Sequence, residues 1–172
     1  FAWFAFSNST NSNVALDVSA WHIKIGENNS TTLHFDVSNF SPGMDGYSRE
    51  VEIVNDGDLD AKLEYNITYL RIFNQEFTFD SNISSVKSLS HDYPFKFNFG
   101  KTSDIINSKS SGKFFVSITW PFDSLDNSKD TYWGEQAYLF QKEELEKVNS
   151  DSSYERRNDI ELTIELVVSQ NL

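Results

Sequence analysis

Residues 159–168 read Asp-Ile-Glu-Leu-Thr-Ile-Glu-Leu-Val-Val. Ile160, Leu162, Ile164, Leu166 and Val168 alternate strictly with Asp159, Glu161, Thr163, Glu165 and Val167. Successive side chains of a strand point to opposite faces, so this period of two predicts a strand with one face on a core and the other facing outward. The same period recurs upstream. Leu33, Phe35 and Val37 alternate with Thr32, His34 and Asp36, and Phe114, Val116, Ile118 and Trp120 alternate with Phe115, Ser117 and Thr119. In Ala61–Phe73 the pattern places Leu63, Tyr65, Ile67, Tyr69 and Arg71 on one side and Asn66, Thr68, Leu70 and Ile72 on the other. Further strands are predicted around Val51 and Ile53, at Glu76–Phe79 and at Tyr93–Phe99, the last with Pro94 at its edge.

Toward the start of the chain, Val14, Leu16 and Val18 share one face, and Trp21, Ile23 and Ile25 resume it after a shift of one residue near Ala20. That is the signature of a bulged strand. The turn residues Gly26–Ser30 follow, so this strand and Thr32–Val37 are expected to form an antiparallel hairpin. Ser38–Gly46 and Asn55–Leu59, the latter reading Asn-Asp-Gly-Asp-Leu, carry turn chemistry. The one predicted helix is Gly134–Val148, rich in good helix formers, with Tyr138, Leu145 and Val148 near one face. Many short strands bounded by turns, with one helix inserted, predict an all-β antiparallel two-sheet β-sandwich of jelly-roll type. The predicted organisation is a segment 1–13, an N-terminal strand and polar linker, followed by a β-sandwich domain over 14–172.

Composition narrows the function classes. The chain has 172 residues with 15 Phe, 7 Tyr and 4 Trp, so its core is built on rings and the chain is neither disordered nor a coiled coil. Fourteen Lys and Arg face 26 Asp and Glu, a net charge of −12, the wrong sign for a phosphate-binding surface, so no nucleic-acid partner is expected. There is no cysteine, which excludes disulfides, Cys-ligated metals and thiol chemistry. No apolar stretch reaches the length of about 20 residues that spans a bilayer.

Catalytic motifs are missing: there is no HExxH helix, nucleophile elbow, P-loop or dinucleotide fingerprint. Of the three histidines, His22 and His34 would face each other if the first hairpin turned about Asn28, but two imidazoles without a third ligand make a poor metal site. His91 lies in a loop without triad context. The loop Asp123–Asp130 carries Asp123, Asp126 and Asp130 as candidate oxygen ligands for Ca²⁺, the only cofactor the sequence suggests; the competing reading is a solvated turn leading into the helix. Trp120 and Trp133 flank that loop and are the candidate surface aromatic pair for stacking on carbohydrate. Six Asn-x-Ser/Thr sequons occur, at Asn8, Asn28, Asn29, Asn39, Asn66 and Asn82. They are candidate glycosylation sites. Asn66 falls inside a predicted strand, which favours reading them as a by-product of an Asn-rich composition.

The start of the chain, Phe1-Ala2-Trp3-Phe4-Ala5-Phe6, is apolar on both faces of a strand and runs into the polar stretch Ser-Asn-Ser-Thr-Asn-Ser-Asn. It is either the tail of a targeting segment or a strand that something must cover. As a strand it either returns to its own sandwich or completes the sheet of a neighbouring copy, and the polar stretch is a linker that makes the second geometry reachable. Head-to-tail insertion that does not close generates a fibre.

Two stretches carry a resemblance: Val37-Ser38-Asn39-Phe40-Ser41-Pro42-Gly43-Met44, and Val51-Glu52-Ile53-Val54-Asn55-Asp56-Gly57-Asp58-Leu59. With the N-terminal Ala-Trp-Phe before Ser, Asn and Thr, and the closing Val168-Ser169-Gln170, they resemble the TasA and camelysin family of secreted proteins. The resemblance covers about a third of the chain and implies a jelly-roll subunit, secreted without its signal peptide, that builds extracellular or biofilm-matrix fibres by donor-strand complementation. Phe1–Phe6 matches the donor in position. Camelysin-type members of that family are described as metalloproteases, but this sequence has no zinc motif, so a non-enzymatic structural role is expected. The alternative is a monomeric, secreted cell-surface binding module for carbohydrate. The expected partner under the first reading is a second copy of the chain itself.

Overall fold

The computed structural model describes residues 5–6, 22–77 and 93–171. Ten strands and one helix are found among them: β1 (Ala5–Phe6), β2 (Ile23–Ile25), β3 (Thr32–Val37), β4 (Tyr47–Asn55), β5 (Ala61–Ile72), β6 (Gln75–Phe77), β7 (Lys96–Lys101), β8 (Ile105–Ile106), β9 (Ser110–Thr119), α1 (Asn127–Ser150) and β10 (Ile160–Gln170). They form two antiparallel sheets. In the larger, β10 lies between β5 on one side and β3 and β1 on the other, while β6 and β8 pair with β5; in the smaller the order is β2-β4-β9-β7. The architecture is a β-sandwich with one helix, as its alternating sequence predicts.

The alternation of β10 holds throughout: Ile160, Leu162, Ile164, Leu166 and Val168 are all buried. Opposite them the smaller sheet contributes Ile53, Phe114, Val116 and Ile118. Burying side chains of this size stabilises the fold by about 1.5–3 kcal/mol each relative to exposure.

The expected hairpin of the second and third strands does not form. β2 pairs with β4 in the smaller sheet, whereas β3 pairs with β10 in the larger. Hydrogen bonds mark the crossing: Gly26 N still donates to Glu52 O of the smaller sheet, and five residues on Thr31 O accepts from Leu166 N of the larger. Gly26 and Asn29 both have positive φ, and the Asn29 carboxamide accepts from Ile25 N at 3.0 Å, a tight turn that redirects the chain between layers. The Asn55–Leu59 turn likewise carries the chain from one sheet to the other. Buried Asn55 anchors it, with Nδ2 donating to Leu59 O, Ile106 O and Asn107 O, and Oδ1 accepting from Gly57 N. The predicted strand upstream of Ile23 lies outside the described residues.

Strand β5 departs from strict alternation. Thr163 stands opposite Tyr69 and Ile164 opposite Ile67, which leaves Thr68 as an extra residue in β5. The bulge exchanges the faces: Ala61, Leu63 and Ile67 point inward before it, Leu70 and Ile72 after it. Tyr69 and Arg71 therefore lie on the opposite face from Leu63, where Arg71 is buried against the Phe140 ring, and not beside Leu63 as the sequence pattern suggests.

Helix α1 starts at Asn127, earlier than the predicted Gly134, because Asp126 caps it by accepting from Lys129 N at 3.1 Å. Its buried residues are Trp133, Ala137, Phe140 and Glu144, at spacings of four, three and four. Tyr138 and Leu145, expected on the core face, are 64% and 59% exposed. The helix closes one end of the sandwich over a cluster of rings: Phe40 lies 5.1 Å and Phe95 5.3 Å from Trp120, Phe95 5.3 Å from Trp133, and Phe73 5.9 Å from Phe140.

Candidate functional site

The outer edge of β10 is divided between two short strands that run in the same direction. Ile160–Glu165 is occupied by β3, and the Val168 and Ser169 positions by β1, with Phe6 opposite Val168 and Ala5 opposite Ser169. The boundary is fixed chemically. Glu165 accepts from the hydroxyls of Thr31 and Thr32, both at 2.7 Å, and Leu166 N donates to Thr31 O at 2.8 Å. These bonds tie the start of β3 to β10 and leave the rest of the β10 edge as a separate seat for β1. Of the apolar segment Phe1–Phe6, Ala5 and Phe6 fall on that seat; Phe1, Ala2, Trp3 and Phe4 lie outside the described residues, as does Asn8.

A groove of about 760 Å³ runs between β3 and β4, with Ile25, Leu33, Phe35 and Val51 among its apolar lining. Among the described residues no strand lies between β3 and β4. Arg49 of β4 bridges it, donating from Nη1 to His34 O at 3.2 Å with its guanidinium 5.7 Å from the Phe35 ring. That contact satisfies one carbonyl on the free edge of β3 and places a charge there, a common way of keeping an edge from pairing indiscriminately.

The other predicted sites come out differently. His22 and His34 stand on different sheets: His22 O accepts from Asp56 N, while His34 Nδ1 meets Thr163 Oγ1 at 3.2 Å. The facing pair required the hairpin that does not form. His91 and Asn82 lie outside the described residues. Trp120 and Trp133 are 1% and 4% exposed, core residues and no surface pair, since the helix that follows the Asp-rich loop folds back over them.

In that loop the three carboxylates each serve the local backbone. Asp123 accepts from Leu125 N at 2.7 Å, Asp126 caps the helix and Asp130 accepts from Ser124 N at 3.0 Å. The hydrogen bond from Lys129 N holds the Asp126 carboxyl below the ordinary range. No group of three or more His, Cys, Asp or Glu side chains that could hold a metal ion occurs among the described residues. Of the sequon asparagines, Asn28, Asn29, Asn39 and Asn66 are all exposed.

Two polar clusters escaped the sequence reading. Glu144, 0% exposed, accepts from Arg157 N, Nε and Nη2 at 3.0, 2.9 and 2.7 Å and from Tyr154 Oη at 2.7 Å. Burial alone would push its carboxyl up; the hydrogen bonds from Arg157 and Tyr154 and the Arg157 charge outweigh it and bring it down to about 2. Asp159, also buried, accepts from Phe40 N at 2.7 Å and Gln141 Nε2 at 2.9 Å. Together they bind the helix and the segment after it to the β3–β4 turn. The only signal in the sequence was a charge recurring at the spacing of the buried stripe of α1.

No helix among the described residues is long and apolar enough to cross a membrane. No family model, curated protein or solved structure matches this chain.

Proposed function

We propose that this protein is the subunit of an extracellular filament, a pilus or biofilm-matrix fibre. In it the segment Phe1–Phe6 of one copy pairs with the β10 edge of the next, and the chain has no enzymatic activity. The observation that carries the reading is the separate seat for β1: two residues of the apolar segment pair with Val168 and Ser169, beyond the point where Glu165 ties down the start of β3. The same pairing can be made within one chain or between two, because fifteen residues, 7–21, separate Phe6 from His22 in the sequence. Fully extended, that many residues reach about 50 Å. Exchange of an identical element that does not close on itself propagates into a polymer. A jelly-roll sandwich, secreted and assembling at the cell surface, is the fold and setting this reading implies. The binding-module alternative has lost its aromatic platform, since Trp120 and Trp133 are core residues.

The chain has no cysteine, so a pair introduced by Ala5→Cys with Ser169→Cys reports on the pairing directly. Opposed residues of an antiparallel pair stand close enough for a disulfide. Oxidation of assembled material should give a ladder of covalent multimers on denaturing gels, and electron microscopy should show filaments that vanish in a chain starting at Asn8. Covalent monomers alone, with no filaments in either chain, would refute the proposal.

A further inference from the structure

We propose that three exposed sequon positions of this fold are N-glycosylation acceptors: Asn66 on the outer face of the larger sheet, Asn39 in the β3–β4 turn, and Asn28 in the crossing from β2 to β3. The inference does not depend on filament formation. Its strongest member is Asn66. A sequon inside a strand argues against modification only if the strand buries its asparagine, and here the strand does the reverse. Asn66 stands opposite Glu165 on the exposed face, Ile67 turns into the core, and Thr68 is the bulge residue left without a partner on β10. The acceptor amide and the hydroxyl two residues on, the element a sequon is read by, therefore emerge side by side on the surface. The Thr68 hydroxyl is engaged only at 3.3 Å, with Thr163 O.

The two turn positions are built on the same principle. Asn39 is exposed at φ 55 immediately before Phe40, which is 0% exposed, so the turn drives the ring inward and the amide outward. In the adjacent pair, the Asn29 carboxamide is engaged by Ile25 N within the turn. That leaves the exposed Asn28 as the acceptor. A glycan at any of the three sites would project into solvent without displacing a core side chain.

The chemistry needs a lipid-(pyro)phosphate-linked oligosaccharide and the membrane transferase that uses it. The asparagine Nδ2 attacks the anomeric carbon of the sugar and the new C–N bond forms. The bond from that carbon to the phosphate oxygen breaks, the lipid phosphate leaves with the electron pair, and the amide nitrogen gives up one proton.

The test is intact-mass and site-mapped peptide mass spectrometry of the full chain isolated from the cells that make it. Variants Asn66→Gln, Thr68→Ala and Thr68→Ser are expressed in the same cells. The expected result is a mass above that of the amino-acid sequence, with sugar on the peptides holding Asn66, Asn39 and Asn28. The Asn66 glycan should be lost completely in Asn66→Gln and Thr68→Ala and retained in Thr68→Ser, whose hydroxyl preserves both the sequon and the contact with Thr163. An unmodified mass, sugar confined to Ser and Thr residues, a bare Asn66, or an Asn66 glycan that survives Thr68→Ala would each overturn the proposal. All readouts are masses, so they stand whether or not the chain assembles.

Discussion

Two parts of this molecule are covers, and they are held in opposite ways. Helix α1 closes the end of the sandwich with Trp133, Ala137 and Phe140 in the core and with buried Glu144 gripped by Arg157 and Tyr154. Strand β1 covers the last part of the β10 edge with two residues. The first is a permanent closure whose partners are spread over the β3–β4 turn, β5, the entry to β7 and the segment before β10. The second is a short backbone pairing, and the sequence after it, 7–13, is polar throughout. A cover with many partners fixes the fold, and under the proposed assembly the edge pairing of Ala5 and Phe6 is the one that is exchanged.

The comparison breaks most visibly if the helix is attacked. Phe140→Ala should lower unfolding free energy by about 3–5 kcal/mol, measured by urea denaturation, because it empties a site lined by Phe73 and two guanidinium groups. Starting the chain at Asn8 should abolish filaments yet shift the same denaturation curve by about 1 kcal/mol or less, since a two-residue edge pairing opens locally. Equal loss of stability in both variants would remove the distinction.

Glu144→Ala comes next. It leaves Arg157 without its carboxylate and should cost about 3 kcal/mol, as removal of one partner of a buried pair does. The same residue gives a pH signature. Its folded carboxyl is held at about 2, below the ordinary value of 4.5, so its contribution is fully present above about pH 4.5 and is lost as pH falls toward 2. That contribution is on the order of 3 kcal/mol. Denaturation midpoints at pH 7, 4.5, 3 and 2 should decline over that window, and Glu144→Gln should flatten the decline. The smallest expected effect belongs to the exposed stripe on the same helix: Leu145→Ser should change stability by about 0.5 kcal/mol or less, which separates its two faces.

The sequence revealed the strands and hid their connections. The strict alternation of Ile160–Val168 is the clearest strand signal in the chain, and the core it predicts is the core observed. Which strand pairs with which was harder to see, because Gly26–Ser30 has the composition of a hairpin turn whether it joins neighbours or crosses between sheets. The bulge at Thr68 was invisible for a related reason: one extra residue changes no composition, yet it moves Tyr69 and Arg71 to the other face of the sheet. The helix misled through Glu144. A charged residue in the fourth position of the buried stripe breaks the apolar pattern, and Tyr138 and Leu145 supply a rival pattern on the solvent side. Of the candidate site, Ala5 and Phe6 emerge where an unpaired strand was expected, while the seat beside them depends on Thr31, Thr32 and Glu165, residues that carry no motif.

The central position of β10 also sets the order in which the molecule can form. Thr32 meets Glu165 across 133 positions of sequence, and β5 makes its longest pairing with the same strand. Loop-closure entropy must be met before such distant pairings repay it, which places this chain among topologies that fold in milliseconds to seconds. A chain emerging during synthesis has β3 and β5 without their common neighbour until β10 appears. For that interval the larger sheet cannot close, whereas the smaller sheet, whose strands β2, β4, β7 and β9 all precede β10, already has every partner it needs.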